Sequence, residues 1–321
     1  MRRPSPPPVT WTQFLAARTA VAAISLTAVA SAIFALVRFG PFGPVVALTE
    51  PGTSREVVAA LRRDIEGTTR LGDGYLATVG DLFVFDLGQS VILSDGPARP
   101  LVAEAVLPTL VLVAGALCLV TVVALPVGVA AGYLDGRLGR AVDDLAVFGR
   151  SVPNFWLAVV AVALFWPGLG VAAPSESGVL ALFVSSAAVA SALVATRVRT
   201  TAGAVREARR DGHVDAARAK GLSSRTVLWR HVAPVALLAH LRGVGDDAAY
   251  LVGAVTVVEL TTPHLPGVDA SGLGYLFYQA TVQGDLTLAG TLAFLFAAAV
   301  VAVRFCGDLA LALVDPRVGP G

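Results

Sequence analysis

Residues 105–133, AVLPTLVLVAGALCLVTVVALPVGVAAGY, contain no charged side chain and are long enough as a helix to cross a hydrocarbon core of roughly 30 Å. In lipid every backbone N–H and C=O must be satisfied within the protein, which leaves helices or a closed barrel. The strict alternation of a barrel strand is absent, so the stretch is read as a helix. Apolar blocks of similar kind lie at about 17–38, 142–166, 178–198, 235–258 and 286–310. The whole chain of 321 residues agrees, with 55% hydrophobic residues, 15% charged and a mean hydropathy of +0.73. A soluble domain carries roughly 25% charged residues. The predicted fold is all-α and polytopic, with six transmembrane helices.

Arginine placement predicts the orientation. Arg2, Arg3 and Arg18 precede or open the first span, and Arg137 and Arg140 lie between the second and third. A larger group, Arg197, Arg199, Arg206, Arg209, Arg210, Arg218, Lys220, Arg225 and Arg230, lies around the connection between the fourth and fifth. The positive-inside rule makes these places cytoplasmic, and six spans then put both termini there in the cell membrane. The expected organisation is a cytoplasmic N-terminus and first helix over 1–38, an extracytoplasmic segment over 39–104, a five-helix core over 105–314 with a cytoplasmic loop at 199–234, and a tail over 315–321. The segment 39–104 leans acidic, so the net charge of +1 conceals two opposite faces and points to no nucleic-acid partner. Within it, residues 53–70 suggest a short amphipathic helix capped by Thr53 or Ser54, covering the bundle or meeting an external partner. The first span, although it contains Ala30-Ser31-Ala32, is longer than a signal-peptide core and is read as retained.

Several chemistries are excluded. Lys220 is the only lysine, and Gly221 follows it where a phosphate-binding loop needs Ser or Thr. No nucleophile elbow or metal-ligand spacing occurs, so no catalytic, cofactor or metal site is expected on this chain. His213, His231, His240 and His264 are read as solvated or interfacial, and Cys118 and Cys306 as buried packing residues within spans.

The loop between the fourth and fifth spans is too long for a plain connector. Helix formers from about Gly203 to Lys220 predict a helix, Gly221 its left-handed stop, and Ser223 or Ser224 the cap of a second helix running to Pro234. Ala216, Ala217 and Ala219 are small enough for another surface to approach closely, and Arg218 and Lys220 offer charged donors beside them. This is a docking element for another protein.

Asp215-Ala216-Ala217, then Gly221 and Pro234, resembles the EAA loop of permease subunits of binding-protein-dependent ABC importers, with Asp215 in place of the usual glutamate. The run His213–Leu222 is similar to the version in the dipeptide/oligopeptide/nickel permease family, where tyrosine often stands at His213. Further resemblances follow in order: Asp86-Leu87-Gly88 with Ser90, Leu107-Pro108-Thr109-Leu110, Ser151 with Pro153, Phe155 and Trp156, Val257-Val258-Glu259, and Asp315-Pro316-Arg317. The resemblance implies a second homologous permease, two cytoplasmic ATPase subunits that bind ATP and Mg, and an extracytoplasmic solute-binding protein. It implies that Asp215, Ala216, Ala217, Arg218, Ala219, Lys220, Gly221 and Pro234 form the ATPase-docking loop, and that the solute is a di- or oligopeptide.

Intramembrane polar residues are the candidates for the translocation path: Asp246, Asp247, Ser151 and Asn154. Arg242 and Asp246 are spaced to pair on one helix face, as are Arg304 and Asp308. The resembled family is mostly apolar at Arg242, Asp246 and Asp247. The alternative function is an ion-gradient-driven secondary transporter or channel acting without an ATPase, although no matching halves are visible in the sequence.

Overall fold

The computed structural model describes residues 10–39, 54, 56–60, 63, 74–90, 92–94, 96–134, 137–153, 156–157, 159–160, 178–261 and 271–314. The elements in chain order are α1 (Trp11–Phe39), α2 (Tyr75–Phe83), β1 (Gln89–Ser90), β2 (Gly96–Pro97), α3 (Ala98–Tyr133) and α4 (Arg137–Ser151). After these come α5 (Gly178–Arg209), α6 (Gly212–Ala219), α7 (Ser224–Val227), a π-helical turn (Leu228–Val232), α8 (Ala233–Leu241), α9 (Val244–Thr261), α10 (Leu273–Gln283) and α11 (Leu286–Val314). Among the described residues, four helices are long and apolar enough to cross a bilayer: Trp11–Arg38, Ala98–Tyr133, Leu182–Arg209 and Leu286–Leu313. The protein is membrane-embedded and multi-pass.

The helix α3 packs most extensively against α5. Small residues allow this, because lipid supplies no hydrophobic drive between helices and close backbone approach supplies dispersion contacts instead. A Cβ on Gly128 would strike Thr201 and the Val198 carbonyl, and one on Gly132 would strike Val205 and the Ala202 carbonyl. Ala116, Val120, Val189, Leu193, Leu251 and Val258 then form a core among α3, α5 and α9. The first helix lies mostly outside this core, packed on α11 and α2, and Ser31 and Tyr75 share a hydroxyl hydrogen bond of 2.7 Å. The short antiparallel pair β1–β2 leads directly into α3 and marks one end of the molecule, the hairpin end. The connection α6–α7 marks the other, the loop end.

Four sequence expectations are corrected. The predicted helix from Gly203 to Lys220 is two helices. The span helix α5 itself runs on to Arg209, and the chain breaks at Arg210–Asp211, where Gly212 lowers helix propensity. The predicted fifth span is also interrupted, at Arg242–Gly243. Cys118 and Cys306 are exposed rather than buried, since an apolar helix face needs no protein cover in lipid. His240 is buried at 1% exposure rather than interfacial. Of the predicted helix at 53–70, residues 56–60 are helical and the Ser54 hydroxyl accepts from the Val57 amide at 3.4 Å; Thr53 lies outside the described residues. The third predicted span is helical to Ser151, with Pro153 outside the helix; Asn154, Phe155, 161–177, His264 and 315–321 lie outside the described residues.

Candidate functional site

The loop end is built from an apolar cluster. Val205 and Ala208 of α5, Val214 and Ala217 of α6, Val227, Val232 and Ala236 are buried together, with Val129 and Tyr133 of α3 against them. Burying a valine side chain contributes about 1.5–3 kcal/mol, so the loop is held as a folded element. Asp215, Ala216, Arg218, Ala219 and Lys220 all face outward. Ala217 does not: it is buried, with its methyl group in the cluster. Gly221 has φ +82°, the left-handed region that ends α6 at little cost only for glycine. Ser223 Oγ accepts from the Thr226 amide at 3.3 Å, which makes Ser223 rather than Ser224 the cap of the next helix. Pro234, lacking an N–H to complete the α-ladder, sits in the first turn of α8, with Ala233 between it and the π turn. On the outward face Asp215 and Arg218 lie 3.6 Å apart, and a hydrogen bond from His213 holds the exposed Asp211 carboxyl below the usual carboxylate range.

Arginines fasten this element to α3. The last carbonyls of any helix lack intrahelical donors and carry the negative end of its dipole. Arg206 donates to Ala131 O at 3.4 Å, and Arg209 to Gly132 O at 3.4 Å and Tyr133 O at 2.9 Å. The Arg209 guanidinium also lies 5.1 Å from the Tyr133 ring centre, and the Tyr133 hydroxyl donates to Ser224 O at 3.1 Å.

The hairpin end uses carboxylates. Glu259, 1% exposed, accepts from Thr109 Oγ1 at 2.7 Å and from the amides of Gly274 and Tyr275 at 2.6 and 3.3 Å, while Thr109 accepts from the Leu273 amide at 2.8 Å. The start of α10, which has no side-chain cap of its own, is thereby satisfied from two other helices. Asp285, also 1% exposed, caps α11 through the Leu288 amide at 3.2 Å and holds the hairpin turn through Ser90 Oγ at 2.6 Å and the Ile92 amide at 3.1 Å. Beside these supports opens a cavity of about 940 Å³, mostly apolar, with Asp86, Arg99 and Thr109 among its lining residues and α3, α9 and α11 as walls.

The profile of the family described as binding-protein-dependent transport system inner membrane component matches residues 124–320, which include the loop, the π turn and both carboxylates. The chain belongs to this family. A putative peptide transport system permease protein of Brucella abortus (strain 2308) is 31% identical over 325 residues, covering 96% of this chain and 99% of its own. Oligopeptide transport system permease proteins of Salmonella typhimurium and Bacillus subtilis are 27% and 25% identical over 293 and 303 residues, each covering 89% of this chain and 92% of its own. The protein is therefore a transport permease subunit and not itself an enzyme.

Within the permease the predicted path residues are spread apart. Asp247 is 3% exposed and closed by Arg197 of α5, whose guanidinium donates to both carboxylate oxygens and to Gly243 O. Asp246 is exposed and pairs with Arg304 at 3.4 Å, and Asp308 pairs with Arg18 at 2.9 Å. Both contacts join different helices, beside the within-helix spacings expected for Arg242–Asp246 and Arg304–Asp308. Ser151 is exposed at the end of α4, and Asn154 lies outside the described residues. None of Asp246, Asp247 and Ser151 lines the large cavity. Sequence reasoning missed the roles of Arg197, Arg206, Arg209 and Asp285. An acidic residue just before the last apolar span, at the position of an N-cap, was the signal available for Asp285.

Proposed function

We propose that this permease forms, with a second homologous subunit, the membrane path of an ATP-driven importer of di- and oligopeptides, and that its loop at 203–234 couples it to cytoplasmic ATPase subunits, two of which serve the pair of permeases. The observation that carries this reading is the loop geometry. A helix–turn–helix with an apolar underside fixed to α3 and α5 presents Asp215, Ala216, Arg218, Ala219 and Lys220 outward. The cavity at the hairpin end is the outer mouth of the path, where an extracytoplasmic binding protein delivers solute; its mixed charge, Asp86 and Arg99 on otherwise apolar walls, suits a zwitterion with apolar side chains. The relatives' names support peptides as the solute class.

The accompanying topology has six spans, with α8 and α9 together making the fifth and α4 opening the third. Both termini and the 199–234 loop are cytoplasmic, and 39–104 is extracytoplasmic. Asp246, open on α9, is the acidic candidate for contact with a solute along the path, with Ser151 and Asn154 as polar neighbours of the third span. ATP and Mg belong to the ATPase chains. Reconstitution in liposomes with the partner permease, ATPases and binding protein tests the reading. Uptake that needs ATP and all partners is expected; uptake by this chain alone, driven by an ion gradient, would overturn it.

A further inference from the structure

We propose that Arg197, Asp247 and the Gly243 carbonyl form a strut that carries movement of the loop to helix α9, making Arg197 and Asp247 positioning residues for coupling. The strut rests on the docking role proposed above for the loop. Its geometry is specific. Arg197 lies within α5, the helix that continues without a break to Arg209 and contributes Val205 and Ala208 to the loop cluster. A displacement of α6 and α7 therefore moves the cytoplasmic half of α5 as a rigid rod. Arg197 grips the fifth span at the point where it is broken, between Leu241 and Val244. The Gly243 carbonyl receives both the Asp247 amide, at 2.9 Å, and the Arg197 guanidinium, and a Cβ on Gly243 would overlap that guanidinium.

Both sides of the break pack on α3 and α5, but their polar contacts differ. On the α8 side, His240 approaches Thr121 of α3 at 3.4 Å; on the α9 side, Asp247 is tied to α5. A movement of α5 is then passed to α9 at Gly243 through Arg197. The helix α9 contributes Val252, at its middle, to the cavity wall and carries Glu259 in its last turn, so a change of angle at Gly243 reaches the mouth of the path. Adhesion alone does not account for the pair. The side chains are 12% and 4% exposed, and an ion pair so buried holds helices together no better than well-packed apolar residues of similar volume. What the planar guanidinium adds is direction: two parallel bonds to one carboxylate and a third to the hinge carbonyl fix the rotation of α9 about its own axis.

The test uses the complete importer in proteoliposomes, comparing the parent with the apolar double variant Arg197→Met/Asp247→Leu and with Arg197→Lys, which keeps the charge and loses the planar fork. Retention of ATPase subunits on the permease, ATP hydrolysis and solute transported per ATP are measured together. The double variant is expected to retain ATPase and hydrolyse ATP while transport per ATP falls about tenfold, with Arg197→Lys falling less. Transport per ATP within twofold of the parent in the double variant overturns the strut. If the double variant fails to assemble, Arg197→Lys decides by the same criterion. A parent complex that retains no ATPase refutes the docking role of the loop instead.

Discussion

The two ends of the permease solve one problem with opposite charges. At the hairpin end α10 and α11 begin, and their unpaired amides are met by the buried carboxylates Glu259 and Asp285. At the loop end α3 finishes, and its unpaired carbonyls are met by Arg206 and Arg209. The sign of each cap follows the helix dipole, and the arginines also accord with the positive-inside bias, so one set of residues serves insertion and packing. The ends differ in solvent as well: both carboxylates are 1% exposed, whereas Arg206 and Arg209 are only part-buried. Removing a cap should therefore cost more at the hairpin end.

Glu259→Ala takes this acceptor from the Gly274 and Tyr275 amides and leaves the Thr109 hydroxyl its longer bond to Ala105 O, and is expected to destabilise the detergent-solubilised permease by about 3–5 kcal/mol, read by thermal unfolding. Asp285→Ala should follow at about 2–3 kcal/mol, with Asp285→Asn recovering only part of the loss, because an amide keeps one acceptor oxygen where the carboxylate uses both, Oδ1 for the Leu288 amide and Oδ2 for Ser90 and Ile92. If either carboxylate could be removed more cheaply than an arginine cap, the contrast between the ends would be wrong. At the loop end Ala217→Trp overpacks the apolar cluster, for about 1–3 kcal/mol, and weakens ATPase retention through misfolding. Ala216→Trp, on the outward face, should leave unfolding within about 0.5 kcal/mol of the parent yet abolish ATPase retention in pull-down. Equal stability of these two variants would dissolve the distinction between inner and outer faces of α6. Among the cap removals the smallest effect belongs to Arg209→Ala, about 1 kcal/mol, detected as faster amide exchange at the end of α3.

What the sequence made legible was whatever depends on neighbours in the chain. The left-handed stop at Gly221 and the cap at Ser223 are set by local propensity and stereochemistry, and the structure has both; of the six apolar blocks, four are helices long and apolar enough to cross a bilayer among the described residues. The motif containing Thr109 and the motif ending in Glu259 were both legible, but not that they bond to each other, since 150 residues separate them. Arg197 was counted only as one positive charge near a span end. Its partner Asp247, 50 residues away, was expected to face a solute. Helical spacing reports which residues share a face and says nothing of which other helix that face meets. The inward turn of Ala217 was hidden for a related reason: alanine fits a docking surface and a tight core equally well.

The π turn at Leu228–Val232 sets a phase. Each residue of an α-helix advances the side chains by about 100°, so the wider turn offsets the faces of α7 from those of α8 by a fraction of a revolution that an unbroken α-helix would not contain. Deleting one residue within 228–232 should let the segment close into an α-helix, swinging α7 and the docking face of α6 around the axis of α8 while leaving every span in place. Loop and bundle would each remain folded, and the permease would present its partner with the wrong side of α6.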